Sequence, residues 1–414
     1  MTGIDLEIRP LLSALWRTRT GPLLVAVQVA IALAVLVNVA YIVQQRIATA
    51  RAPTGIDLAN IFWIASQGYA PDYDQATTVR ADLAYLNSVP GVTAAAISSN
   101  LPQIFSESDL PFATTPRPDA KAEDAIIYMM SERGPQALGL TLLAGRAPLP
   151  EAVLPPAKDF NEAFGRWAPE VVITKDLAER LFPRGDALGK TLYAQMINRP
   201  AKIVGIVQHM QAMPSAPPFT DVVQRIVLVP GIPPGPGALY LVRTQPGRRA
   251  AVMAKVEKEF GPLEPGRFVS KIEALDKTAA QTRGALRATA VILSVVGLLV
   301  SAVTAIGIFG LAAFHVATRT KQIGTRRAIG ARKLDILRYF LVENGLITTT
   351  GVVVGCVIAL LVGSRLSLMF RAPRLPLLYL VGGALALWAL GLCAVLLPAR
   401  RAARISPAIA TRTV

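Results

Sequence analysis

The chain has 414 residues, 52% of them hydrophobic, and carries 43 Lys+Arg against 27 Asp+Glu, a formal charge of +16. Its two cysteines, Cys356 and Cys393, and its two histidines, His209 and His315, supply neither a disulfide frame nor the ligand set of a metal centre. The apolar residues gather into four uncharged stretches, which excludes a purely soluble protein. The basic excess flanks those stretches, which argues against a nucleic-acid surface.

In chain order, residues 1–21 form a polar head. Ile8, Leu11, Leu12, Leu15 and Trp16 recur there at helical spacing between Arg9, Arg17 and Arg19. That pattern predicts an amphipathic segment lying in the cytoplasmic membrane interface. Residues 22–43 are long enough to cross a hydrocarbon core of roughly 30 Å, which takes about 20 helical residues. Ala48-Thr49-Ala50 imitates a signal-peptidase site, but a secretory apolar core runs about 7–15 residues, so a retained span is expected.

Residues 44–287 read as one large mixed α/β domain. Strands are predicted at 61–65, 93–97, 171–174, 202–207, 238–243 and 267–271, with helices at 76–86, 175–182 and 248–260. Pro-rich breaks at 148–156, 214–218 and 230–236 mark loops. The pattern gives a β-α-β-like piece at each end of the domain and a separate middle part. Both ends return to the membrane, so the end pieces are expected together. The segment 185–191, Gly-Asp-Ala-Leu-Gly-Lys-Thr, imitates a phosphate-binding loop, but that loop needs four residues between its first Gly and the Gly-Lys pair, and here there are three. A turn before a strand is the expected reading, leaving the chain without a nucleotide engine. Nor can a Ser/His/Asp set or carboxylate pair be assembled, so no catalytic residue and no bound cofactor are expected.

Ile272, Leu275, Ala279, Thr282 and Leu286 follow a heptad-like spacing into the second span, 288–314. With no proline or long loop between 271 and 314, one continuous helix of about 60 Å is predicted. It is either a stalk that carries motion or an ordinary linker helix. Residues 315–343 link it to the third span, 344–364; a short loop at 365–374 leads to the fourth, 375–399, and a tail at 400–414. The third span carries Gly351 and Gly355 in a G-x-x-x-G, a small face that lets helices approach closely, expected within the subunit. Fourteen basic residues in the N-terminal head, the 315–343 link and the C-terminal tail oppose four acids, whereas the large domain holds 26 Lys+Arg and 23 Asp+Glu. Short positive segments stay in the cytoplasm, so both termini and the link are placed inside and the large domain outside. Arg365, Arg371 and Arg374 in the short outer loop oppose this assignment but are outweighed. Without Asp, Glu, Lys or Arg inside the spans, an ion-coupled transporter is disfavoured.

The link reads Arg319-Thr320-Lys321-Gln322-Ile323-Gly324-Thr325-Arg326-Arg327-Ala328-Ile329-Gly330-Ala331. This R-T-x-x-I-G-x-R-R-A-x-G-A pattern, between one span and two more, resembles the coupling segment of MacB/FtsX-type ABC-transporter permeases. Leu86-Asn87-Ser88-Val89-Pro90-Gly91-Val92, the 171–207 stretch with Leu181-Phe182-Pro183, and Pro398-Ala399-Arg400-Arg401-Ala402-Ala403-Arg404-Ile405-Ser406-Pro407 are similar to the same family. The resemblance implies an α-helical membrane protein with four transmembrane helices and a large α/β (α+β) periplasmic domain of two subdomains, one like transporter porter domains. It implies a bacterial inner-membrane protein, a second permease subunit (homo- or heterodimer), and a separate ABC ATPase subunit that binds the ATP-Mg. A periplasmic adaptor or outer-membrane channel would be a further partner. The implied mechanism is mechanotransmission, in which ATP-driven closure moves the coupling segments and, through the long second helices, the periplasmic domains. The implied ATPase-docking residues are Arg319, Lys321, Gln322, Ile323, Gly324, Arg326, Arg327, Ala328, Ile329 and Gly330. Ile323, Ala328 and Ile329 would supply an apolar face and the basic residues would pair with acids on the partner. Gln322 stands where many members have Glu, which removes one charge from that surface. Leu275, Ala279, Leu286, Ser301 and Ala305 would form the stalk and dimer contact. Alternatives are an FtsX-like regulator of periplasmic cell-wall hydrolases and a membrane-anchored sensor or binding protein without an ATPase.

Overall fold

A computed structural model describes residues 20–106, 109–157, 162, 165–214, 222–370 and 375–405. The predicted amphipathic head at 1–19, the outer-loop residues 371–374 and the tail beyond 405 lie outside the described residues. Two compact units emerge, one of residues 48–286 and one built from the rest of the chain. Helix α1 (Thr20–Arg51) opens the described chain.

Among the described residues the extramembrane unit holds two large sheets and a two-stranded ribbon. The first contains β1 (Ile61–Gly68), β2 (Val92–Ile97), β12 (Gly237–Thr244) and β13 (Arg267–Ala274) in the order β13-β1-β12-β2, antiparallel throughout. Helix α2 (Gln75–Ser88) joins β1 to β2 and helix α5 (Arg249–Glu259) joins β12 to β13. This is a split β-α-β arrangement assembled from the two ends of the domain. The continuous apolar run of β1 follows from its place: it is central, with both faces covered. Phe62 and Ile64 pack against Val79, Leu86, Val252 and Phe260 of the helical layer, while Ile61 and Trp63 face the second subdomain. Asp74 caps α2, its carboxylate accepting from the Ala76 N–H at 3.0 Å.

One buried charge cluster braces this layer. The Arg267 guanidinium pairs with Asp82, donates to the Phe260 carbonyl at 2.8 Å and lies 4.1 Å over the Phe260 ring. The Tyr240 hydroxyl donates to the same carboxylate at 2.5 Å. Burial raises the Asp82 carboxyl above its usual range in spite of those two bonds, and burial beside Asp82 pushes the Tyr240 phenol up as well.

The second sheet uses the middle of the domain. In chain order come β3 (Phe105–Ser106), β4 (Asp109–Ala113), β5 (Ala122–Met130), α3 (Gly134–Leu138), β6 (Leu142–Gly145), β7 (Glu170–Thr174), α4 (Lys175–Leu181), β8 (Thr191–Ala194), β9 (Arg199–Val207), β10 (Met213–Pro214) and β11 (Ile226–Pro230). β3 and β10 pair separately as a short ribbon. The order β9-β7-β11-β5-β4-β8 closes on itself because β8 also pairs with β9, and β6 extends the ladder along the far half of β9. Phe112, Val171, Ile173, Leu192, Ile203 and Val227 share the core of this closed ring. Closure abolishes most of the open edges a sheet would otherwise present. Gly145 ends β6 with φ +79°, and a Cβ there would sit 2.1 Å from the Val204 carbonyl oxygen. The segment 185–191 is an exposed turn between α4 and β8, with Lys190 3.5 Å from Asp186.

Helix α6 (Leu275–Thr318) begins where β13 ends, three residues later than the heptad spacing suggests. Ile272 belongs to the strand, opposite Ile64, because the ladder with β1 continues to Ala274. At 44 residues the helix is about 66 Å long. Its first turns are anchored in the extramembrane unit. Leu275, Ala279 and Leu286 are buried, Leu286 against Ala50. The Thr278 hydroxyl accepts from the Trp63 indole at 2.9 Å and donates to Glu273 at 3.0 Å. Lys271 and Lys277 also hold Glu273, at 3.0 and 3.1 Å, and with Thr278 they depress its carboxyl to about 2.

The helical unit comprises α1, the later part of α6, α7 (Thr320–Ala328), α8 (Lys333–Phe370) and α9 (Leu377–Ala403). Among the described residues, four helices, namely α1, α6, α8 and α9, are long and apolar enough to cross a membrane. Gly351 and Gly355 seat against α1: a Cβ at either would approach the Ala26 or Ala30 carbonyl oxygen at 2.6 or 2.8 Å. The G-x-x-x-G is thus spent within the chain. The Asn344 amide donates to the Gly391 carbonyl at 3.1 Å, tying α8 to α9.

Candidate functional site

The hairpin between α6 and α8 is built by local rules. Helix α7 ends in a left-handed glycine, Gly330 at φ +109°. The Gly330 N–H donates to the Arg327 carbonyl and the Ala331 N–H to the Arg326 carbonyl, the paired bonds of a Schellman stop. Asp335 then accepts from the Arg332 N–H at 2.8 Å, covering a free donor at the start of α8.

Polar and apolar contacts pin α7 to the rest of the helical unit. Arg319 forms an ion pair with Glu343 at 3.0 Å, and the Glu343 side chain is 5% exposed. Arg327 donates to the Ala403 carbonyl at 3.3 Å, an orphan acceptor at the end of α9, and to the Ile405 carbonyl just beyond it at 2.6 Å. Ile323, 5% exposed, packs in a cluster with Ile336, Phe340, Ala399 and Ala402. Arg326 lies with its guanidinium 5.1 Å over the Tyr339 ring.

The ten residues singled out for docking therefore divide. Arg319, Ile323, Gly324 and Arg327 turn inward, whereas Lys321, Gln322, Arg326, Ala328, Ile329 and Gly330 are exposed. The assignment of Ile323 to an outward apolar face is corrected: it is core. So is that of Arg319 to ion pairing with a partner: Arg319 is paired with Glu343 within the chain, whereas Arg327 donates to two neutral backbone carbonyls. Ile329 is 82% exposed, and Leu334, which the sequence reading did not single out, is 72% exposed. The signal for Leu334 was available: it falls off the inward α8 positions Ile336, Phe340 and Ile347. Together they make an apolar tip on a hairpin otherwise rich in positive charge.

The stalk and dimer assignment also changes. Leu275, Ala279 and Leu286 are interior anchors of α6 and offer no surface to a second copy. Ser301 and Ala305 are half-buried on the small side of α6, which packs on α1. Gln28 donates to the Val303 carbonyl at 3.1 Å, Thr304 is buried, and Gly307 faces Gln28. The exposed side of α6 is aliphatic instead, with Val291, Val295, Leu298 and Ile306. His209, 2.9 Å from the Pro53 carbonyl, is a loop tie, and no group of metal-ligating side chains occurs among the described residues.

The model of the MacB-like periplasmic core domain matches residues 23–259, and that of the FtsX-like permease C-terminal region matches residues 294–407. The chain belongs to the MacB/FtsX class of ABC-transporter permeases. It is a membrane protein with a periplasmic domain of MacB-like type. Among its relatives, the macrolide export ATP-binding/permease protein MacB of Agrobacterium fabrum is 28% identical over 256 residues, 58% of this chain and 38% of that protein. The Escherichia coli K12 protein of the same name is 28% identical over 265 residues, 60% of this chain and 39% of that protein. The chain thus spans about two fifths of the length of these relatives in the matched region. The crystal structure of the periplasmic region of MacB from Actinobacillus actinomycetemcomitans aligns with TM-score 0.33 at 16% identity, covering 55% of this chain and 94% of that one.

Proposed function

We propose that this MacB/FtsX-type permease works by mechanotransmission in a bacterial inner membrane, with both termini and the α6–α8 hairpin cytoplasmic. A separate ABC ATPase subunit binds ATP-Mg and docks on the hairpin. The permease itself performs no catalysis and holds no cofactor. Two permease subunits work side by side, meeting along the exposed aliphatic side of α6. A periplasmic adaptor or outer-membrane channel completes an export route for those members that span the envelope.

The observation that carries this reading is the hairpin itself. A mobile loop would absorb a push from a partner. Here the Arg319–Glu343 pair, the Arg327 bonds and the buried Ile323 fix α7 to α8 and α9, while Ile329 and Leu334 project from the tip. At the other end, α6 is built into the first sheet through Leu275 and the Trp63–Thr278–Glu273 chain. A displacement of α6 along its axis would therefore pull on β13 and β1 directly.

The test is a reconstituted complex with spin labels at Lys255→Cys on two copies. ATP binding should change the distance between the labels, and an unchanged distance with an active ATPase would overturn the mechanism. Orientation is checked separately: a cysteine at Lys255 should label from outside intact cells and one at Thr325 should not.

A further inference from the structure

The extramembrane unit contains a cleft of about 760 Å³ between its two subdomains. Ala65, Leu239 and Phe268 of the first sheet form one wall; Leu110 and Met129 of the closed ring, with Trp167, form the other. The volume lies within the span of small-molecule sites, about 300–1,000 Å³. Nothing assigns a ligand to it.

The wall chemistry narrows what would bind. Trp167 packs on Phe112 with ring centroids 6.1 Å apart and lends the cleft an aromatic wall, its indole N–H being buried. Gln67 and Asn100 add amide donors to the same lining. In a chain of +16 charge, the described lining contains no lysine or arginine, and its charged residue is an acid, Asp109. An anionic ligand would find no counter-charge. At the rim, Phe268 is 51% exposed and stacks with Tyr69, 65% exposed, at 6.5 Å. Such a pair presents apolar faces to water that an entering ring or chain would cover.

We infer that this cleft binds a neutral amphipathic molecule of drug size whose carbonyl or ether oxygens accept from the Gln67 and Asn100 amides. The inference is independent of ATPase docking, because it concerns binding to the permease alone.

Equilibrium dialysis tests it on the full chain in lipid nanodiscs, without ATPase or nucleotide. The probe is radiolabelled progesterone, a neutral steroid with two carbonyls, and empty discs give the partition background. One saturable site per chain is expected. Deoxycholate, an anionic steroid, should fail to compete. Ala65→Trp, which fills the cleft, should weaken saturable binding by roughly tenfold or more. Gly237→Leu gives a second obstruction on the neighbouring strand, where the added Cβ would meet the movable Gln67 amide at 3.1 Å. Absence of a saturable component, equal competition by deoxycholate, or undiminished binding in both obstructed variants would overturn the proposal; the last would locate the steroid among the spans.

Discussion

The extramembrane unit and the α6–α8 hairpin are both rich in charge, but they dispose of it differently. Across residues 44–287, acids and bases nearly balance, and the deepest basic side chain, Arg267, meets Asp82 in the interior. The link at 315–343 has seven Lys+Arg and two Asp+Glu. One of those acids, Glu343, takes Arg319, and the other, Asp335, caps a helix. Arg327 resorts to backbone carbonyls and Arg326 to an aromatic face, while Lys321, Arg332, Lys333 and Arg338 remain exposed. The lesson is that an arginine's role follows from the acids within reach. Where they are available it braces the fold; where they run out it is left for a partner or for the membrane potential and topology.

The largest effect should come from the buried pair. Arg267→Met leaves Asp82 without its cation and should cost the extramembrane unit about 3–5 kcal/mol, read by thermal or urea unfolding. Adding Asp82→Leu should restore much of that loss. If the single variant were as stable as wild type, the contrast between braced and surplus charge would fail on its first side.

Glu343→Gln probes the other region. It keeps the shape but removes the charge from Arg319, and should cost about 2–3 kcal/mol of local stability. The ATPase should still bind, yet its hydrolysis should no longer drive the label movement at Lys255. Retained coupling would mean that the latch is dispensable.

A smaller effect depends on pH. The Glu273 carboxyl is held at about 2 by Lys271, Lys277 and Thr278, below its usual 4.5. Its contribution is complete above about pH 4.5 and is lost as the pH falls toward 2. Both lysines are about half exposed or more, so Glu273→Gln should cost only about 1 kcal/mol at pH 7. The gap between variant and wild type should narrow below pH 4.5 and close only as the pH falls through about 2; a gap constant with pH would point to packing instead.

The smallest is Lys190→Ala. Lys190 sits in an exposed turn beside Asp186 at 3.5 Å, so the change should move stability by less than about 0.5 kcal/mol and leave nucleotide hydrolysis by the complex unchanged.

Much of the first sheet was legible in the sequence. The runs at 61–65, 93–97 and 238–243 are apolar or β-branched and bounded by turn residues, and each lies inside β1, β2 or β12. The ring was not. β4 carries Pro111 and Asp109, β5 opens with Glu123 and Asp124, and β8 has four residues, so none has a clean alternating pattern. Its closure depends on pairings between distant segments that no local window contains. β11 carries another difficulty: its apolar run is only five residues long and ends at Pro230, where the Pro-rich loop begins. At the hairpin, composition identified the segment but not its faces. Ile323 and Ile329 are alike as residues; six positions apart on a helix closed by Gly330, one faces the cluster around Phe340 and the other faces away. Likewise, the small side of α6 reads equally well as a contact for a second copy or for α1, and the Gln28 hydrogen bond and the approach of Gly307 to Gln28 decide for α1.

The central claim is that the exposed apolar tip, rather than the inward arginines, seats the ATPase. Pull-down of the ATPase by a normally inserted Ile329→Asp/Leu334→Asp double variant tests this directly, since α7 and its internal bonds are untouched. Burying two carboxylates in an apolar seat should weaken association by at least about a hundredfold, so the ATPase should be lost from the eluate. Recovery of the ATPase at the wild-type level, with hydrolysis intact, would contradict the account.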